Sequence, residues 1–237
     1  MTHRFPRIIL ALILVLSLCV PALAEMDLSE LNYDDYFTSR DLSGKWDPDA
    51  AVELDLTGDL TITEPGVYVL SGVVADGTVR INVGSDEKVQ LVLNGVSISC
   101  SDNACIIIEN ADKAYITLAE GTENTLTSTG FTADEEVNAV VYSKDDVVFN
   151  GTGSLTIHSA AHGIVSKDDI KFGNGNYVIH AVKRGISGND SVRVFDGSYT
   201  IYSGKDPLRT KRGEDEEKGY ILIWGGHFYL YNTGDEE

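Results

Sequence analysis

The feature that most constrains the fold of this chain is a sequence repeat. The segment from Gly163 reads GIVSKDDI and the segment from Gly185 reads GISGNDSV, so equivalent residues lie 22 positions apart. A related copy starts at Ser143 with one extra residue, and another starts at Ile221 after an insertion. Each repeat holds two short runs of alternating apolar and polar residues and a glycine turn, which predicts two short strands.

A repeat of this length is too short for a propeller blade, and a β-sandwich has no reason to repeat without a gap. It is typical of one coil of a parallel β-helix, in which neighbouring coils stack. We therefore predict an all-β fold, a right-handed parallel β-helix (solenoid) of coils of about 22 residues.

Repeated positions become columns in such a fold, because equivalent residues of successive coils stack about 4.8 Å apart. Apolar residues fill three of these columns at alternate positions, so they face one side and are expected to form the core. The columns are Val147, Ile170, Val192 and Ile221; Leu155, Tyr177, Tyr199 and Phe228; and Ile157, Ile179, Ile201 and Leu230.

Carboxylates fill another column. Asp145, Asp168 and Asp190 share one repeat position, and Asp146 and Asp169 share the next. Like charges stacked at strand spacing repel each other by several kcal/mol at moderate dielectric unless a cation lies between them. Calcium takes oxygen ligands and would relieve this repulsion, so these five residues are predicted metal ligands. The alternative is that they are turn-forming aspartates neutralised by the preceding lysines, Lys144 and Lys167.

Two further columns face outward. Lys171 and Arg193 stack on one face, and a second face carries His158, His180, Tyr202 and Tyr231. The predicted corners carry basic residues at Lys183, Arg184, Lys205 and Arg209. Cations bind carboxylated sugars through charge-assisted hydrogen bonds, and aromatic rings pack against sugar rings. These side chains are therefore candidate carbohydrate ligands, chiefly Lys171, Arg193, His180, Tyr202 and the four corner residues; the alternative is an ordinary exposed sheet face with cross-strand ladders.

The charge of the chain limits its partners. Its formal net charge is −19 at pH 7, which argues against nucleic acid. Within this acidic chain, residues 163–212 hold nine Lys or Arg against five Asp or Glu. The basic zone is where an acidic polysaccharide would bind.

The first 24 residues have the pattern of a signal peptide: Arg4 and Arg7, an apolar run over residues 8–20, and a cleavage sequence that ends at Ala24. We expect a secreted or cell-surface protein with no transmembrane segment in the mature chain. Residues 25–50 would be a leader segment and residues 51–237 the β-helix. The remaining cysteines, Cys100 and Cys105, form either a local disulfide or two buried thiols.

The S-K-D-D elements at Ser143 and Ser166, and G-I-x-G-x-D-x-V at Gly185, resemble a bacterial family of exported carbohydrate-binding domain proteins. The resemblance implies a pectate-lyase-like right-handed β-helix, bound calcium, and affinity for acidic, polygalacturonate-like polysaccharides without catalysis. Two positions depart from the family, since His162 and Arg184 stand where it carries an acidic residue.

Three functions remain open at this stage. The first is a non-catalytic, calcium-stabilised carbohydrate-binding protein. The second is a polysaccharide lyase, whose base would be a lysine or arginine near calcium; the candidates are Lys167, Lys171, Arg193 and Lys205. The third is a structural or adhesive surface solenoid, because a last coil that stays open at Glu237 allows end-to-end self-association. The sequence singles out no catalytic residue.

Overall fold

The computed structural model describes residues 31–133, 136–211 and 218–234, and the described residues from Asn32 onward belong to one compact unit. The predicted signal peptide lies outside the described residues. Within the described ranges, no helix has the length and apolar character needed to cross a bilayer.

Strands dominate the described part of the chain. One short α-helix, α1 (Ser39–Leu42), and two 3₁₀ turns, Tyr33–Asp35 and Pro48–Ala50, precede them. Eighteen strands follow in the described ranges: β1 (Ala51–Leu56), β2 (Leu60–Ile62), β3 (Gly66–Val74), β4 (Val79–Cys100), β5 (Ile106–Leu118), β6 (Glu123–Ser128), β7 (Ala139–Ser143), β8 (Asp146–Gly151), β9 (Ser154–Ser159), β10 (His162–Ser166), β11 (Ile170–Phe172), β12 (Asn176–Ala181), β13 (Ile186–Gly188), β14 (Ser191–Val194), β15 (Ser198–Ser203), β16 (Leu208–Thr210), β17 (Tyr220–Ile223) and β18 (His227–Asn232).

The strands pair in parallel with the strands of the next repeat. Strand β12 lies between β9 and β15, and β15 also pairs with β18. Ile170 of β11 pairs with Val192 of β14, which is the register that the 22-residue repeat predicts. The protein is thus all-β with one large parallel sheet of 18 strands in the described ranges, and it fits a parallel β-helix-like fold.

The core consists of the predicted apolar columns. Ile170, Val192 and Ile179 have no exposed surface, and Tyr177 and Tyr199 stack with their ring centroids 5.1 Å apart. The Tyr199 hydroxyl donates to the Asp196 carbonyl at 2.8 Å, so this buried polar atom is satisfied. The last repeat differs, because Ile221 and Leu230 keep 41% and 44% of their surface exposed.

A glycine column makes the turns before these strands. Gly197 has φ of +126°, and a Cβ there would lie 2.8 Å from the Gly175 carbonyl oxygen of the preceding repeat. A side chain would therefore be strained by the backbone and would also clash with its neighbour, which explains the glycine in each repeat.

Residues 32–50, which we call the strap, pack across the outer face of β8 and β11. Phe37 is buried and packs against Phe195, with ring centroids 5.7 Å apart. Asp41 of α1 is completely buried. The strap starts helix α1 with a capping box, in which the Thr38 hydroxyl accepts from the Asp41 N–H and the Asp41 carboxylate accepts from the Thr38 N–H.

The two cysteines are free thiols, and both are buried. The Cys105 thiol donates to the carbonyls of Ile98 and Thr127, each at 3.4 Å. Burial raises the pKa of Cys105 to about 12, so the thiol stays protonated and unreactive at neutral pH. Of the two arrangements left open by the sequence, the structure shows the thiols.

Candidate functional site

A ladder of flat rings runs across strands β9, β12, β15 and β18. His158, His180, Tyr202 and Tyr231 occupy one register position, and each projects outward because its neighbours in the strand face the core. The ring centroids are 5.0, 4.8 and 4.7 Å apart along the ladder, and adjacent rings are parallel to within 10°. The predicted ladder is therefore present as a continuous stack.

Three rings of the ladder, His158, His180 and Tyr202, form the floor of an open groove of about 620 Å³. Val182, which is 66% exposed, stands beside the floor as part of one wall. The groove is lined by Thr127, Ser128, Thr129, His158, Ser159, Ala160, His180, Ala181, Val182, Tyr202 and Thr233. A flat aromatic floor with hydroxyls at its edge suits a ligand that has apolar faces and polar edges, as a sugar ring does.

The surroundings of His180 in the ladder favour its neutral form. Partial burial, with the adjacent His158 ring as a second cause, lowers the pKa of His180 from its ordinary value. A neutral imidazole offers one donor and one acceptor, which matches a sugar hydroxyl. At His180 the groove floor can therefore offer a ligand packing and hydrogen bonds.

Charge is supplied at the corner that follows the groove. Lys183 comes directly after Val182, and Lys205 lies beside it in the next repeat, with its N–H donating to the Lys183 carbonyl at 2.9 Å. Both lysine side chains are exposed. Arg184 contacts the Asp206 carboxylate at 3.1 Å, and Arg209 lies 4.0 Å from the same oxygen. The structure thus brings all four predicted corner residues together, with two exposed lysines nearest the groove.

His162 lies behind this corner. Its Nδ1 accepts from the Arg184 N–H at 3.2 Å, which places the ring proton on Nε2. Burial lowers its pKa to about 4, with Arg184 and Lys183 as further causes. A neutral histidine among cations replaces the acid expected from the family resemblance, so the corner stays basic.

The prediction that Lys171 faces a glycan is wrong. Its ammonium group is buried beneath the strap and pairs with Asp41 at 3.2 Å. Arg193 binds Asp169 at 2.9 Å and lies over the Tyr220 ring at 5.4 Å, so it serves the carboxylate column rather than the groove. The two residues do stack as predicted, but the strap and the neighbouring repeat cover that face.

Side-chain cations balance the carboxylate column. Asp146 pairs with Lys113 at 3.3 Å, Asp169 pairs with Arg193, and Asp190 pairs with Lys218 at 2.5 Å. The Asp145 carboxylate accepts from the Ala111 N–H at 3.0 Å. Among the described residues, no three His, Cys, Asp or Glu side chains are arranged to hold a metal ion. The five aspartates therefore do not form a shared coordination site in this arrangement.

One pair in the column is not fully balanced. Burial raises the pKa of Asp168 to about 6, and a hydrogen bond that the protonated Asp168 side chain donates to the Asp190 carboxylate acts in the same direction. The two carboxyl groups therefore meet directly and share a proton below that pH. The pairing of Lys113 with Asp146 and of Lys218 with Asp190 was missed from sequence. The segment ADKAYITL from Ala111 is a weak copy of the repeat and contains the signal for Lys113, since aligning it with the repeat at Ser143 places Lys113 opposite Asp146.

The family model described as carbohydrate-binding domain-containing protein matches residues 57–236, and the chain belongs to that family. A carbohydrate-binding domain-containing protein of Acetivibrio thermocellus is 37% identical over 119 residues, which are 48% of this chain and 42% of the relative. The chain thus spans less than half the length of that relative. The solved structure of a polysaccharide lyase-like protein from C. thermocellum, in a gadolinium derivative, has a TM-score of 0.70 and 33% identity, covering 75% of this chain and 79% of the other.

Proposed function

We propose that this protein is a non-catalytic, extracellular carbohydrate-binding protein that holds an acidic, polygalacturonate-like polysaccharide along the ring ladder. The observation that supports this proposal is the ladder itself, because its four outward-facing parallel rings, three exposed and Tyr202 half-buried, form a continuous platform beside two exposed lysines. Membership of the carbohydrate-binding family supplies the ligand class.

The preference for acidic sugars rests on the corner residues. A polysaccharide lying on Tyr202 and His180 would pass Val182, and the next residue in the chain is Lys183. A carboxylate at that point would gain charge-assisted hydrogen bonds from Lys183 and Lys205. Because both lysines are exposed, each contact is expected to contribute about 1 kcal/mol or less, and several along the polymer would add up.

The architecture that places these residues is, in this proposal, a right-handed solenoid. Each strand of one repeat pairs with the equivalent strand of the next repeat, as successive coils of a solenoid require. The pairs are β10 with β13, β11 with β14, and β12 with β15. The hand follows the strong general preference for right-handed crossovers between parallel strands. Localisation outside the cytoplasm rests on residues 1–24, and the mass of the exported protein should correspond to a chain that starts at Glu25.

Calcium remains a prediction, and its candidate position is the Asp168 and Asp190 pair. The described side chains give two carboxylates there, so main-chain carbonyls or water would have to complete the coordination. A bound cation would relieve the repulsion between the two carboxylates above pH 6 and stabilise the folded state through mass action. Melting the protein at pH 7.5 in calcium and in chelator tests this, and an unchanged melting temperature would remove calcium from the account.

The test of carbohydrate binding is affinity electrophoresis in gels with and without polygalacturonate. The polymer should slow the wild-type protein, and the effect should be much weaker for the double variant His180→Ala/Tyr202→Ala. Thr200→Ala is the matched control, because Thr200 lies on the same face of β15 two residues from Tyr202 but does not line the groove. Equal retardation of all three proteins would refute the groove as the site.

The second candidate function, a polysaccharide lyase, is favoured by the similarity to the polysaccharide lyase-like protein. β-Elimination needs a base beside the substrate, and Lys205 and Lys167 are exposed, whereas the Lys171 ammonium is held by Asp41. Incubation with polygalacturonate and calcium distinguishes the two functions, since a lyase releases an unsaturated product that absorbs ultraviolet light. Absence of retardation on a range of glycans would instead favour a structural or adhesive role.

A further inference from the structure

A second cavity lies between the strap and the turns that precede β9 and β12. Its volume is about 550 Å³, within the range of small-molecule sites. The strap contributes Leu42, Gly44, Lys45, Trp46 and Pro48, and the sheet contributes Leu118, Glu120, Gly151, Thr152 and Asn174. None of these residues lines the groove of the ring ladder.

The walls of this cavity are fixed by specific contacts. The Lys45 carbonyl accepts from the Gln90 side chain at 3.3 Å, and Trp46 packs against a buried cluster that includes Val92. The strap also approaches the sheet closely, since a Cβ on Gly44 would lie 2.5 Å from the Gly151 Cα. The Asn174 side chain is oriented by the Gly175 N–H, which donates to its Oδ1 at 2.7 Å. The cavity is therefore a built feature of the docked strap.

The lining combines an apolar surface with a balanced polar rim. The half-buried Trp46 indole lies with Leu42, Pro48 and Leu118, all apolar. The rim carries the Glu120 carboxylate and the Lys45 ammonium. It also carries the Thr152 hydroxyl and the Asn174 amide. The charges of the two ionised groups cancel, so the cavity has no net preference for an anion, and its donors and acceptors match neutral hydroxyl groups.

We propose that this cavity, the strap pocket, binds a neutral sugar unit, such as one end of an oligosaccharide, with its ring against Trp46 and its hydroxyls on Glu120 and Asn174. The site is separate from the groove. The groove lies at the carboxyl-terminal ends of β9 and β12, while the strap pocket lies before their first residues, about 20 Å away for a six-residue strand. Because the ligand touches both strap and sheet, it holds the strap in place.

The chain offers a direct optical test, since it contains two tryptophans, Trp46 and Trp224. In a Trp224→Phe variant the emission reports on Trp46 alone. We expect cellobiose, maltose or lactose to change this emission with saturation in the millimolar range, and digalacturonate to bind no better. Glu120→Ala should weaken the affinity at least tenfold, and the exposed position of Glu120 makes loss of folding a minor concern.

Variants of the groove separate this proposal from the proposed function. His180→Ala/Tyr202→Ala in the Trp224→Phe background should bind the neutral disaccharide with an affinity within twofold of the parent. The proposal is overturned if none of the three disaccharides changes the Trp46 emission, if Glu120→Ala leaves the affinity unchanged, or if the groove variant abolishes the response. It is independent of the result with polygalacturonate, because that polymer is assigned to the other site.

Discussion

The buried ion pair between Asp41 and Lys171 should hold the strap on the sheet. The Lys171 ammonium lies 3.2 Å from one Asp41 oxygen, and the Thr38 N–H donates to the same oxygen at 2.9 Å. Burial alone would raise the pKa of Asp41, but the hydrogen bond from Thr38 and the charge of Lys171 lower it overall. Asp41 is therefore ionised at pH 7, and removing either partner leaves a buried charge.

The size of the effect follows from that uncompensated charge. Breaking a buried pair on one side costs about 3–5 kcal/mol, so Asp41→Asn or Lys171→Met should destabilise the docked strap by about 3 kcal/mol. The double variant Asp41→Asn/Lys171→Met leaves no charge behind and should cost clearly less than the sum of the two single changes. If the strap opens without global unfolding, about 3 kcal/mol corresponds to a rise of roughly 100-fold in the open population.

Limited proteolysis measures that population, because Arg40 and Lys45 within the strap are trypsin sites. Trypsin should cut the single variants in the strap roughly 100-fold faster than the wild-type protein when opening is rapid compared with cleavage. The double variant should be cut at a rate between that of the wild-type protein and that of the single variants. Two results would refute the claim that the ion pair holds the strap on the sheet. One is cleavage of Asp41→Asn at the wild-type rate, and the other is cleavage of the double variant at the rate that the sum of the two single effects predicts.

Three further predictions concern pH and assembly. The pKa of His162 is about 4 in the fold and 6.5 when unfolded, so this residue contributes stability above pH 6.5 that is lost as the pH falls towards 4. In urea unfolding, the free energy of unfolding of His162→Asn should therefore fall less on acidification than that of the wild type, by up to about 3 kcal/mol. Identical pH profiles would contradict this. The pH dependence from Asp168 has the opposite sign, because its pKa is raised to about 6 and its stabilising effect is lost as the pH rises through 6. The variant Asp168→Asn should therefore have a higher melting temperature than the wild type at pH 7.5 in chelator, and a lower one would count against the shared proton. In strands β17 and β18, Ile223 is 46% exposed and Leu230 is 44% exposed, so these strands offer an apolar surface for self-association. Sedimentation should show association that increases with concentration and is lost in Ile223→Lys/Leu230→Lys. A wild-type monomer at all concentrations would exclude self-association through this surface.

Repetition made much of the fold predictable from sequence. The 22-residue spacing predicts the pairing of Ile170 with Val192 and of His180 with Tyr202, because stacking turns a sequence period directly into a contact. The ring ladder and the basic corner follow from the same columns. For these elements the local pattern contains the structural information, and reading it needs no knowledge of distant parts of the chain.

The strap could not be predicted in the same way. Asp41 and Lys171 are 130 residues apart, and neither the spacing nor the composition of the strap repeats anything in the sheet. Lys171 and Arg193 occupy the same position in successive repeats, so the repeat alone predicts the same exposure for both. The strap buries Lys171 and leaves Arg193 more accessible. The carboxylate column was likewise predictable as a column, but its neutralisation by Lys113 and Lys218 depends on side chains from other repeats.

The binding of an acidic oligosaccharide on the ring ladder is tested most directly by the ring resonances of individual histidines in nuclear magnetic resonance spectra. His158 and His180 are in the ladder, while His227 lies at the other end of β18 and serves as an internal reference. Addition of trigalacturonate should shift the ring signals of His158 and His180 with saturation and leave those of His227 unchanged. Unchanged signals from both ladder histidines at concentrations where the oligosaccharide binds would contradict the proposed site.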